Sequence, residues 1–134
     1  MAIQLSSAVR TARAAALEAT IGTTPVLRIF TGSPPANVAA ANSGTELVAI
    51  DLPSDWATQA AGVLSLAGTW EDVAIAAGTV GHFRVYAADG TTCHMQGTCT
   101  ASGGGGDMTV TGSGTFEIDD VITVETFTLT EANA

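Results

Sequence analysis

Every histidine and cysteine of this 134-residue chain falls in one short region: His82, Cys93, His94 and Cys99. These are the residue types that ligate zinc, but zinc knuckles place two ligands on one tight turn. Here five residues separate the thiols, so the stretch is neither a knuckle nor a C-x-x-C redox pair. If 93 to 99 is one straight strand, its ends lie about 20 Å apart, six rises of about 3.3 Å, beyond any disulfide. If Met95, Gln96 and Gly97 form a hairpin loop instead, Cys93 faces Cys99. Free packed thiols are the preferred reading, with a disulfide and a zinc site as the alternatives.

Other chemistry is weaker still. The chain has no lysine, which excludes a Walker phosphate loop and Schiff-base catalysis. The run Gly103 to Gly106 reads as a flexible loop, because Asp107 follows where a phosphate site needs donors. Glu71-Asp72 and Asp119-Asp120 could bind calcium or cleave glycosides, yet they lack EF-hand spacing and read as solvated turn residues. No G-x-S-x-G elbow occurs, and His82 beside Arg84 and Tyr86 reads as a surface or partner-facing histidine. Trp56 and Trp70 could stack on a sugar but read better as closing the ends of a core. The residues therefore predict a protein that is not an enzyme, with no cofactor and no metal.

The elements that hold these residues are mostly strands. "SSAVRTARAAALEAT" is the one convincing helix, capped by Ser6 or Ser7 and stopped near Gly22, with Leu5, Val9, Ala12 and Ala16 at helical spacing. From Pro25 the period becomes two. Strand-like runs follow at "VLRIFTG", "TELVAIDL", "GVLSLAGTW", "TVGHFRVYAAD", "DMTVTG", "TFEI" and "VITVETFTLT", and "SPPANVAAANSG" reads as a long loop. The expected fold is mainly β: a β-sandwich or partly open barrel of about seven to nine short strands with one N-terminal α-helix. One domain suffices, divided into a helical arm, 1–24, and a β domain, 25–134.

Charge narrows the partners. Thirteen acids against four arginines give a net charge of −9, which disfavours nucleic acid. Residues 1–45 hold three arginines against Glu18, while the remainder holds Arg84 against twelve acids. The helix is thus the segment suited to an acidic partner, with Arg10 and Arg13 one turn apart and Leu5, Val9 and Leu17 as apolar contacts. No apolar run of about 18 residues is present, so no membrane span is expected. Arginines occupy the place of a signal peptide's apolar run, which predicts synthesis in a reducing cytosol.

The order "LSSAVRTARAAALEATIG", "LRIFTGSPPA", "GTELVAI", "GTVGHFRVYAADGTTC" and "ITVETFTLT" resembles a group of small virion structural proteins of tailed bacteriophages, over nearly the whole chain. Its most specific parts are the helix leading into "LRIFTG" and the "FRVYAADGTT" strand and turn. The chain departs from that group at Cys93 and Cys99, where apolar or small residues are usual, and this favours packing over ligation. The resemblance implies a virion component made in the host cytoplasm. Its role would be a head decoration, or cement, protein on the outer capsid surface, bound to the major capsid protein and self-associated, most simply as a homotrimer. The alternative is a tail- or fibre-associated module that recognises a host glycan through Trp56, Trp70 or Tyr86.

Overall fold

The computed structural model describes residues 3–131. Helix α1 (Ser7–Ile21) precedes eleven strands: β1 (Val26–Phe30), β2 (Glu46–Asp51), β3 (Ala57–Ala60), β4 (Val63–Leu66), β5 (Glu71–Val73), β6 (Gly78–Thr79), β7 (His82–Tyr86), β8 (Cys93–Ala101), β9 (Met108–Val110), β10 (Thr115–Phe116) and β11 (Val121–Thr130). Eight strands curl into one half-barrel in the order β2-β1-β7-β8-β9-β11-β4-β3. This is the partly open, mainly β architecture that the period-two pattern predicts, with its single helix at the N-terminus. The ten-residue β11 is the spine. Its first part pairs with β5, its middle with β9 and its end with β4.

α1 starts and stops where its sequence signals lie. Ser6 Oγ accepts the Val9 N–H at 3.2 Å, and Gly22, at φ 92°, donates its own N–H to Glu18 O. The docked stripe differs from the expected one. Ala14, Leu17 and Ile21 turn inward, while Val9, Ala12 and Ala16 face solvent. With alanine on both sides the apolar pattern has little contrast, and polar anchors decide the rotation. Thr11 Oγ1 accepts the Gly62 N–H at 2.9 Å, Glu18 accepts from Gln59, and the Trp56 indole donates to Gly22 O at 3.0 Å. The helix consequently packs on β3 and β4.

The core compensates for few aromatics by aligning them. Trp56 lies 6.2 Å from Trp70, Trp70 lies 5.6 Å from Phe127, and Phe83 meets Phe127 edge-on at 5.8 Å. Such pairs add about 0.5–1.5 kcal/mol each beyond the area they bury. Leu27, Ile29, Leu47, Ile50, Leu64 and Ile122 fill the space around them.

One connection breaks a general rule. β8 and β9 run parallel, with Cys99 opposite Met108, although only residues 102–107 join them. Parallel neighbours ordinarily need a crossover of about a dozen residues or more. Here the return lies flat against β8. A Cβ on Gly104 would stand 2.7 Å from Thr100 Cβ, and one on Gly106 would stand 2.9 Å from Thr100 N. Gly106 N–H donates to Thr100 Oγ1 at 3.0 Å, and Asp107 Oδ2 accepts from Thr98 N at 2.9 Å. The glycine run, expected as a loop, is a tight return hydrogen-bonded to β8 at Thr98 and Thr100.

Candidate functional site

β7 is buried at all five positions because both of its faces are covered. Phe83 and Val85 face the core; His82, Arg84 and Tyr86 face residues 31–45, which cross the outer surface as a strap. Hydrogen bonds tie the strap to the sheet. His82 Nδ1 lies 2.9 Å from Gly32 O, so that nitrogen carries the proton and donates. Arg84 Nη2 donates to Val38 O at 2.7 Å, and Gln96 Nε2 donates to Pro35 O at 2.7 Å. His82, expected at the surface, is fully buried and stacked on Phe30 at 5.0 Å. It anchors the strap, and its Nε2 is buried without a hydrogen-bond partner.

Between strap residues 38–42 and the turn at 90–93 lies a cleft of about 630 Å³, with Arg84 and Tyr86 among its lining residues. A register shift between Val85 and Tyr86 sets Cys93 opposite Tyr86 and brings the thiol into that lining. Arg84 is 2 % exposed. Its hydrogen-bond acceptors, Val38 O and Asn42 Oδ1, are both neutral. Among the described residues no carboxylate forms an ion pair with it. Directly across the β1–β7 ladder stands Arg28, a like charge, which pairs with Glu46 at 2.8 Å. Both guanidiniums lie over the Tyr86 ring, at 5.2 Å for Arg28 and 5.8 Å for Arg84. Arg84 is therefore a buried charge held by dipoles and a ring face alone. Leaving a buried ion without its partner costs roughly 3–5 kcal/mol where it has been measured. Asp89, beside the cleft, does not supply that partner. Backbone and hydroxyl donors of Thr92 and Thr91 hold its carboxyl down to about 2, and it caps its own turn.

The thiols do not meet, because β8 is one strand from 93 to 101 and no hairpin forms at Met95–Gly97. Both are free, which is the preferred sequence reading. Burial pushes the Cys99 thiol up to about 12, whereas Cys93 is half-buried with its S–H directed to Met95 O at 3.5 Å. His94 is exposed beside α1, and no group of three or more His, Cys, Asp and Glu converges among the described residues. Trp56 and Trp70 are buried in the core, and Tyr86 is 4 % exposed, so none of the three presents an open ring to a sugar.

The five helix residues expected to meet a partner separate. Arg13 makes an ion pair with Glu131 at 3.1 Å, and Arg10 Nη1 reaches Glu131 O. Leu17 packs against the core, Leu5 is half-buried, and Val9 is 46 % exposed. Around Val9 the outer helix face presents Ala8, Ala12, Ala15, Ala16 and Ala19. A second apolar surface was not legible in the sequence. Val73, Ile75, Ile118 and Val121 are all more than 40 % exposed. Val73 and Val121 are direct cross-strand partners, and Ala74, which donates its N–H to Asp120 O and accepts from Asp119 N–H, brings the other two close. Glu71, Asp72, Glu117, Asp119 and Asp120, all exposed, stand among them in the chain. Strand period alone cannot show this patch, because one half of it sits in a turn. No protein-family model, curated protein or solved structure matches the chain.

Proposed function

We propose that the chain is a structural protein of a tailed-bacteriophage virion, a decoration protein that reinforces the outer head surface. The phage assignment rests on the resemblance of the helix-to-"LRIFTG" and "FRVYAADGTT" segments. The observation that carries a binding role is the exposed aliphatic quartet Val73, Ile75, Ile118 and Val121. Scattered apolar residues are ordinary on a surface, but four neighbouring β-branched side chains mark a contact face. The surrounding acids oppose the same face on a second copy and fit a shell surface that presents cations. Self-association falls to the outer face of α1, where Val9 and the alanines carry no charge, and a trimer about a local threefold axis uses it once per copy. Weak identical contacts then sum over the lattice.

Copy number tests the role. Quantitative mass spectrometry of purified virions should find the protein on the order of hundreds of times per particle, as lattice decoration requires. A handful of copies, or none, overturns decoration; a handful located at the tail supports the alternative of a tail-associated module.

A further inference from the structure

We propose that the cleft between the strap and the 90–93 turn binds a small hydroxylated carboxylate of sugar-acid size, whose carboxylate takes the place of the Asn42 side chain on Arg84 and Tyr86. Asn42 Oδ1 accepts from Arg84 Nη1 at 2.5 Å and from the Tyr86 hydroxyl as well. One neutral amide oxygen thus occupies a position where a guanidinium and a phenol converge, the donor pair that a carboxylate oxygen satisfies with full charge. Asn42 itself is exposed, on the strap, so its side chain can leave without opening the core.

Charge selects a monoanion. Arg28 is already paired with Glu46, so the cleft holds a single uncompensated positive charge, on Arg84. A carboxylate matches it, whereas a phosphate group carries roughly −1.5 to −2 at neutral pH and would bring surplus negative charge into a chain of net −9. Size and lining select the remainder of the ligand. A volume of about 630 Å³ is far larger than acetate needs, and Thr91, Thr92 and Gly90 face Asn42 across the opening.

Titration of the full-length protein with glucuronate, glucose and inorganic phosphate, followed by amide chemical shifts, tests this. Glucuronate should bind saturably with shifts at Arg84, Tyr86, Thr91 and Cys93, glucose should not bind, and phosphate should bind more weakly than glucuronate. Two changes at one exposed residue, one isosteric and one a truncation, then make opposite predictions without altering the buried arginine. Asn42→Asp places a carboxylate on Arg84 from within the chain and should weaken glucuronate about tenfold or more. Asn42→Ala removes the competing oxygen and should tighten it. A merely structural clip of the strap predicts no glucuronate binding in any of the three proteins. Absence of saturable binding overturns the site, as do equal binding of glucose, tighter binding of phosphate, or the same effect from both Asn42 variants.

Discussion

At the scale of single residues, two cysteines six positions apart on one strand have opposite chemistry because their surroundings differ. Cys99 is fully buried beside Met108, and desolvation of its thiolate raises its titration to about 12. At pH 8 it holds essentially no thiolate, and thiolate is the attacking species. Cys93 lines the open cleft. A maleimide or disulfide reagent added to native protein should therefore modify one thiol, Cys93, and reach Cys99 only after denaturation. Two thiols modified at equal rates in the native state would contradict the burial of Cys99. The sequence allowed free thiols, a hairpin disulfide or zinc, and strand geometry rules out the hairpin disulfide: β8 runs as one continuous strand through both cysteines. What it could not reveal was the register shift that brings Cys93 to the strap side, because a bulge leaves no fixed residue signature at "TTCHM". His82 was misplaced for a related reason. Alternation puts it opposite Phe83, and a face away from the core is read as solvent unless a covering segment is known.

At the scale of elements, the helix was legible in its limits and not in its rotation. Ser6 and Gly22 are local signals, and they act locally. Its docked face depends on Gly62, Gln59 and Trp56, at sequence separations of 34 to 51 residues, which no period can report. The consequence is energetic. Ala14 and Ile21 belong to the core, so the helix closes the half-barrel at β3 and β4. Ile21→Ala should cost about 2–5 kcal/mol in chemical denaturation, as buried Ile truncations do. Val9→Ala, on the outer face, should change stability by less than about 0.5 kcal/mol. Equal effects would mean that α1 is an arm and not part of the wall. The strap shows the same limit: two prolines and several alanines correctly read as a loop, yet its polar attachments to His82, Arg84 and Gln96 lie 42 to 61 residues away.

At the scale of the whole molecule, charge sets the two proposed associations in opposition. All four arginines are engaged within the chain: Arg10 and Arg13 on Glu131, Arg28 on Glu46 and Arg84 on the strap. Little positive charge remains at the surface to answer twelve acids between Glu46 and Glu131, so whole copies repel. The proposed self-association through the uncharged α1 face would work against that repulsion, and salt relieves it by shortening the screening length from about 10 Å at 0.1 M toward 3 Å at 1 M. The proposed attachment of the acid-rimmed quartet to a cationic shell would use attraction, which the same salt removes. Light scattering should accordingly show the oligomer favoured as salt rises, while co-sedimentation with particles stripped of the protein should fall. Val73→Thr with Val121→Thr, which keeps the β-branched shape of both cross-strand partners at exposed positions and adds no charge, should sharply weaken co-sedimentation and leave the oligomer and the melting temperature nearly unchanged. Ala12→Glu with Ala16→Glu should do the reverse, giving monomers that still bind the shell, though with less gain from the lattice. If both associations respond to salt with the same sign, or if either double variant removes both, one surface serves both purposes and the division between helix face and quartet is wrong.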